Sequence, residues 1–468
     1  MRSIVYKKFD AICAHILEYI ENHTRYTAEE LEKQANKGPG GRKSDSNIRP
    51  DFQLNNNAQD IYLGIFGNIG GKSTNQYKPV EFNHITCRTP RQYANSQFIM
   101  RAIWTSYDDI TVQTDAYYPD IVVGGVIDFR LFQFPEGARP AMKWTVRNVF
   151  SVEDRLRNIP YPDPTSAVQP DPLGITFKLP PYVFISENDE LKVGVWDGQE
   201  NVWSTAEIED IKLDMASRQL EFQTRRLAQM AFLQSRCTDY PYKRWKLRCV
   251  ENQVAMLDIE TKRGLQLSFE IGPDYLMLQV EAKEDGSEEK YPELKHLKNQ
   301  KFSPGYLLLE LSKSGIHLLP RNEDAQLGEI KLKDFAAEER AISDLAVGVR
   351  AFAFRSCRWN PHIENDNIVI KIRENLEFDR EFFEDHEPDW RYFMYWPNKC
   401  AFVRCSDLDE QPDVRIVAGH ETHAFMPLAL ENGHASAEAF ERNLQYSYID
   451  FIDTVRKTLR LTRILAFT

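Results

Sequence analysis

A handful of stretches in this sequence carry residue types that chemistry uses. Gly67-Asn68-Ile69-Gly70-Gly71-Lys72-Ser73-Thr74 ends in the manner of a phosphate-binding loop. Such a loop needs a glycine five positions before the one preceding its lysine, and a helix whose first amides meet the phosphate. Phe66 occupies that position, and Asn75-Gln76-Tyr77-Lys78-Pro79 leads into another strand-like run. The stretch reads as a glycine-rich hairpin turn. His420-Glu421-Thr422-His423, with His434 downstream, has metal-ligand chemistry. Two histidines serve one zinc ion when they stand four apart on a helix face. Here they stand three apart, between strand-like and turn-like flanks, and read as surface or structural histidines.

The carboxylates between Glu374 and Asp389 lack the apolar setting that raises a pKa for acid–base work. They read as a solvated face. Trp196, Trp203, Trp390, Tyr392, Tyr395 and Trp396 suit either a sugar-stacking site or cross-strand pairs and core, and the second reading is taken. No catalytic residue, cofactor site or metal site is assigned. Arg456, Lys457, Arg460 and Arg463 gather near the end of the last helical pattern. Basic residues there offset the helix dipole. They also form the one stripe that could meet an acidic partner.

The elements that position these residues follow from pattern and composition. With 468 residues, two or three domains are expected. A net charge of −12 argues against nucleic acid as a general partner. Seven scattered cysteines without CxxC spacing fit a reducing compartment and small buried thiols. A charged start and no apolar run of about 20 residues imply a soluble, intracellular chain with no membrane span.

Val5, Phe9, Ile12, Ile16 and Ile20 form a helical stripe, and Thr27 with Glu30 makes a capping box for a second helix. These helices, 1–36, are expected to be a separate docking segment, followed by a flexible glycine-rich linker over 37–59. Short alternating runs then predict a β-sandwich-like domain over 60–150. A connection over 151–174 opens the proline-dense stretch from Pro160 to Pro181, and a second β domain is expected over 175–290. Its clearest piece is the hairpin of Leu265–Ile271 and Leu276–Val280 around Gly272-Pro273-Asp274. The span 300–468 is expected to be α+β. Within it, Tyr306–Leu311 and Ile316–Leu319 read as a hairpin, Glu338–Arg350 as a helix and Ile368–Ile372 as a strand. A long terminal helix follows, capped by Ser436 and carrying Phe440, Leu444, Tyr448, Phe451, Val455 and Leu459. The fold class is mainly β.

Several segments together resemble one family. They are Leu63-Gly64-Ile65-Phe66-Gly67-Asn68, then Val122-Val123-Gly124-Gly125-Val126-Ile127-Asp128 with Lys143-Trp144-Thr145-Val146-Arg147. The most specific run holds Arg218-Gln219-Leu220-Glu221-Phe222-Gln223-Thr224, Ala231-Phe232-Leu233-Gln234, Asp239-Tyr240-Pro241-Tyr242 and Trp245-Lys246-Leu247-Arg248. Over roughly residues 1–280 the chain is similar to the cancer susceptibility candidate 1 family, an intermediate-chain-like subunit of axonemal inner-arm dynein. The resemblance implies a non-catalytic structural or adaptor role in the axoneme of cilia and flagella, supporting motility. Its implied partners are axonemal dynein heavy, intermediate and light chains and tubulin or the microtubule doublet. It supplies no active-site residues. Members of that family are expected to carry a long charged N-terminal extension and a charged mid-chain insertion; this sequence starts almost directly at the helix and the insertion is reduced to short linkers, which bears on the microtubule contact the resemblance implies. Rival readings are a microtubule-lattice protein independent of a motor, and a β-sandwich carbohydrate-binding protein or enzyme.

Overall fold

Alternating apolar residues in runs of five to eight leave one or both faces of a strand in need of cover, and short turns let neighbours in sequence supply it. The computed structural model describes residues 2–27, 30, 48–49, 51–58, 60–69, 79–88, 96–111, 116–165, 167, 169–186, 189–190, 192–279, 290–376, 390–431, 435–444 and 449–468. The chain divides into two compact units. The first comprises 1–118, 122–180 and 190–233, and the second comprises 119–121, 181–189 and 234–468. Strands of the span read as one second β domain, 175–290, are therefore shared between the two.

The first unit is a sandwich. One antiparallel sheet runs in the order Asp51–Asn57, Ile61–Asn68, Phe98–Thr105, Asp120–Gln133, Gln229–Ser235, Lys192–Asp197 and Val202–Ser204. The facing sheet holds Ile208–Asp214, Gln219–Thr224, Leu173–Lys178, Ile85–Arg88 and Pro79–Phe82. Phe82 and Phe129 meet between them with ring centroids 6.1 Å apart. All eight residues of Phe98–Thr105 are buried, because both faces of that strand are covered.

The cover on the outer face is the N-terminal helix Arg2–Glu18. With Ile20 just beyond it, the helix packs Cys13 and Leu17 on Leu63, Ile65, Ile99 and Ile103. It is part of this core rather than a separate docking element, since the sheet's outer face is too apolar to leave bare. The buried stripe is also rotated by one position, leaving Ile12 exposed. Asp51–Asn57, expected within a linker, pairs in register with Ile61–Asn68 and buries only Phe52 below a tenth of its surface. Its asparagines hide the strand from a hydrophobicity pattern. The linker's glycine-rich part lies outside the described residues. Leu173–Lys178, at the edge of the proline-dense connection, is a strand of the facing sheet.

The second unit is a single antiparallel sheet backed by helices. Its nine strands run in the order Lys301–Phe302, Tyr275–Gln279, Gln266–Gly272, Val254–Glu260, Arg244–Glu251, Phe352–Ser356, Ile368–Glu374, Arg391–Trp396 and Lys399–Val403. Trp245, Leu247, Leu257, Phe269, Phe354 and Phe393 on its inner face form one core with Leu307, Leu311, Ile342, Leu345, Phe451, Val455 and Leu459 of the helices.

The hairpin around Gly272-Pro273-Asp274 is present, with Asp274 at φ 61°. The expected hairpin over 306–319 is not. Pro304–Lys313 is a helix that buries Leu307, Leu308 and Leu311, and Gly315 at φ 83° follows it. A short run of leucines fits both periods, and length alone could not arbitrate. The terminal helical region comprises Ala437–Leu444, capped by Ser436, and Ile449–Thr462. Tyr448 lies outside the described residues. The mainly β class holds, as one sandwich and one helix-backed sheet.

Candidate functional site

The sequence-derived candidates disperse. Gly67 lies within the strand Ile61–Asn68 where an added Cβ would stand 2.0 Å from the Phe52 ring, so packing explains that glycine; Gly70–Thr74 lie outside the described residues. His423 exchanges backbone hydrogen bonds with Cys400, at 2.7 and 3.0 Å, and the His420 ring meets Phe402 edge-on at 5.6 Å. His434 lies outside the described residues. Among the described residues no three His, Cys, Asp or Glu side chains converge on a possible metal position. Of the acidic cluster only Glu374–Leu376 are described, and Glu374 accepts hydrogen bonds from the Ser436 amide and hydroxyl at the start of a helix. Trp196 and Trp203 are cross-strand partners with centroids 5.2 Å apart. Two guanidinium groups lie against the Trp390 ring, Arg355 at 4.4 Å and Arg373 at 5.3 Å.

All seven cysteines are buried and unpaired. Burial pushes Cys237, Cys249 and Cys405 up to about 11 and Cys357 up to about 12, which leaves them as thiols.

The basic stripe of the terminal helix is largely engaged within the chain. Lys457 pairs with Asp453 at 2.6 Å, Arg460 Nε donates to Glu339 at 2.7 Å, and Arg463 pairs with Glu338 at 2.8 Å. Arg456 completes the face and is partly buried.

A different surface gathers more charge. The face of the second unit's sheet turned away from the core helices forms the floor of a groove of about 1180 Å³. Its walls come from 328–333 and 356–362, with Asp407 and Thr468 at the rim. Nine Lys and Arg side chains line it against five Asp and Glu, in a chain whose net charge is −12. Strand Arg244–Glu251 turns Trp245 and Leu247 into the core, so Arg244, Lys246 and Arg248 project together into the groove. Register places Lys246 opposite Arg355, and Arg355 opposite Lys371.

Three cations on three neighbouring strands thus share one row. Such strands lie about 4.8 Å apart, and like charges directly opposite destabilise a sheet. Partners offset part of this cost. Lys371 pairs with Asp407, Arg355 stacks on Trp390, and Arg244 pairs with Glu260 at 2.9 Å. Asp258, across the sheet from Lys246, accepts from Arg248 and from Ser268. Lys333, in the wall, donates to the Asn360 carbonyl at 2.6 Å. Burial, helped by nearby Lys331, pulls its ammonium down to about 8. No helix among the described residues is long and apolar enough to cross a membrane. Sequence reasoning missed the groove. The signal was present in the alternation Arg244-Trp245-Lys246-Leu247-Arg248.

Elsewhere, in the first unit, the ribbon Arg139–Ala141 with Trp144–Val146 pairs only with itself and leaves Met142, Trp144, Val146 and Val149 exposed, Trp144 by 78%.

Comparison with known proteins decides the relationship. No family model matches the chain. Dynein axonemal intermediate chain 7 of Danio rerio is 24% identical over 376 residues, covering 76% of this chain and 49% of the relative. The protein of that name from Mus musculus is 24% identical over 364 residues, covering 76% of this chain and 48% of the relative. That from Homo sapiens is 22% identical over 354 residues, covering 74% and 47%. The chain is a distant homologue of dynein axonemal intermediate chain 7. This bears out the resemblance carried by the sequence motifs. The chain spans about half the length of the curated relatives it matches.

Proposed function

We propose that this protein is a non-catalytic adaptor of the ciliary axoneme that binds an axonemal dynein complex and supports motility. The observation that carries the reading is the homology to dynein axonemal intermediate chain 7 across three quarters of the chain. The architecture agrees with it. A sandwich and a helix-backed sheet are rigid platforms, and their outer surfaces hold an exposed apolar ribbon and a basic groove suited to partners. The proposed partners are dynein heavy, intermediate and light chains, with tubulin or the doublet surface as a second contact.

Affinity purification of the tagged protein from ciliated cells is expected to recover axonemal dynein chains. Replacing Met142 and Trp144 together by serine should reduce that recovery while the purified protein keeps its melting temperature. Recovery of no dynein chain from intact axonemes, by tag or by antibody, defeats the reading. A microtubule-lattice protein without a motor would instead persist in axonemes stripped of inner-arm dynein. The tubulin contact is assigned to Arg456, Lys457, Arg460 and Arg463. An acidic tubulin surface there competes with Asp453, Glu339 and Glu338 for three of the four. Arg456→Glu with Lys457→Glu should therefore weaken microtubule co-sedimentation, and unchanged sedimentation removes that contact.

A further inference from the structure

We propose that the basic groove of the second unit binds an extended acidic peptide of a protein partner, one carrying carboxylates at alternate positions. The first ground is charge. The groove's lining holds an excess of four cations, while the chain as a whole is acidic, so the surface is set apart from its surroundings. The second ground is the row Lys246, Arg355 and Lys371, which places like charges opposite one another on adjacent strands. That arrangement costs stability; Asp407 already answers the buried Lys371, and an anionic ligand would relieve the remaining repulsion at Lys246 and Arg355.

The third ground is spacing. Arg244, Lys246 and Arg248 repeat every second residue along one strand, about 6.8 Å apart. An extended peptide presents its own alternate side chains at the same interval, so its carboxylates meet successive cations without distortion. The groove is also larger than most small-molecule pockets, which run to roughly 1,000 Å³. The floor is a sheet face rather than an edge, so recognition passes through side chains and not through added strand pairing.

Nucleic acid fits less well. Asp258, Glu260 and Glu270 stand in the same groove, and an unbroken phosphate backbone would meet their repulsion. A peptide with neutral residues between its glutamates passes them.

The test is fluorescence anisotropy with the full chain and a fluorescein-labelled decapeptide of alternating glutamate and serine. Saturable binding is expected, and it should weaken at least tenfold as sodium chloride rises severalfold. Arg244→Glu with Lys246→Glu should lower the affinity by roughly tenfold or more, and Lys246→Gln alone by a smaller factor. Lys313→Glu, which pairs with Glu310 on a helix backing the sheet, should leave it unchanged. Circular dichroism melting confirms that each variant is folded. The proposal is overturned if no saturable binding occurs. It is equally overturned if the folded reversal and neutral variants bind as the parent does, or if a single-stranded oligonucleotide of similar length binds as tightly. The inference does not rest on the adaptor reading. Loss of peptide binding with dynein recovery intact sinks the groove alone, and the converse result sinks only the adaptor role.

Discussion

Arg101 is the clearest case of a residue whose role the sequence hides. It interrupts an otherwise apolar strand and is fully buried, where a lone guanidinium would be intolerable. Asp10 of the N-terminal helix meets it at 2.5 Å, and the Phe132 ring lies 5.1 Å from its centre. Burial works against its charge, and Asp128 and Asp10 act together to hold it. Breaking a buried pair costs about 3–5 kcal/mol when the charge left behind stays buried; here Asp128 stays fully buried while Asp10 is one-third exposed, which places the cost at the lower end. Arg101→Met is accordingly expected to lose about 3 kcal/mol in urea unfolding, and a loss below about 1 kcal/mol would show that the helix docks by apolar contact alone.

Asp344 shows the opposite shift. Burial pushes it up to about 6 although it accepts a hydrogen bond from the Met426 amide at 2.9 Å. Its folded pKa lies above the unfolded value, so its favourable contribution is complete below about pH 4 and disappears as pH rises through about 6. The swing is on the order of 2–3 kcal/mol. Asp344→Asn should therefore flatten this part of the stability profile between pH 4 and 7. Denaturant curves at both ends of that range, with no difference in slope from the parent, would contradict the assignment.

Among the elements, the strand Asp120–Gln133 depends on two glycines that the sequence displayed without explaining. Gly124 and Gly125 both have positive φ, and a Cβ on Gly125 would stand 2.0 Å from the Thr105 carbonyl oxygen. The Trp104 indole donates to the Gly124 carbonyl at 3.1 Å in the same place. Gly125→Ala combines a disfavoured backbone region with a backbone clash, and a loss of at least about 2 kcal/mol is expected. Thermal or urea unfolding measures it, and a neutral result would mean that the neighbouring strand yields freely. Element type was legible wherever one face was apolar and a turn marked the end, as at Leu265–Leu278. It failed for the leucine run of Pro304–Lys313, which satisfies both periods, and for Asp51–Asn57, whose asparagines satisfy neither. The strand Asp51–Asn57 exists because Ile61–Asn68 offers it a row of backbone partners, a reason that lies in another segment.

At the scale of the whole molecule, the adaptor role proposed above would rest on outer surfaces. The residues that looked most chemical in sequence are pulled apart by the fold: His420 and His423 lie beside a hairpin, Gly67 packs on Phe52, and Glu374 holds Ser436, the cap residue of a helix. The cations of the terminal helix, which looked like a partner stripe, mostly serve carboxylates of their own chain. The groove drew no notice in sequence, because its cations come from strands more than a hundred residues apart, Arg244–Glu251 and Phe352–Ser356.

The sequence by itself determined the mainly β class, the buried state of the thiols and the kinship to an axonemal dynein chain. Each of these rests on local alternation, composition or ordered motifs, which are properties of segments. Only the tertiary structure decided that the first helix seals a sandwich, that 304–313 is helical and that cations gather into a groove. Those outcomes depend on which distant segments share a face, and burial and charge are summed across that face rather than along the chain.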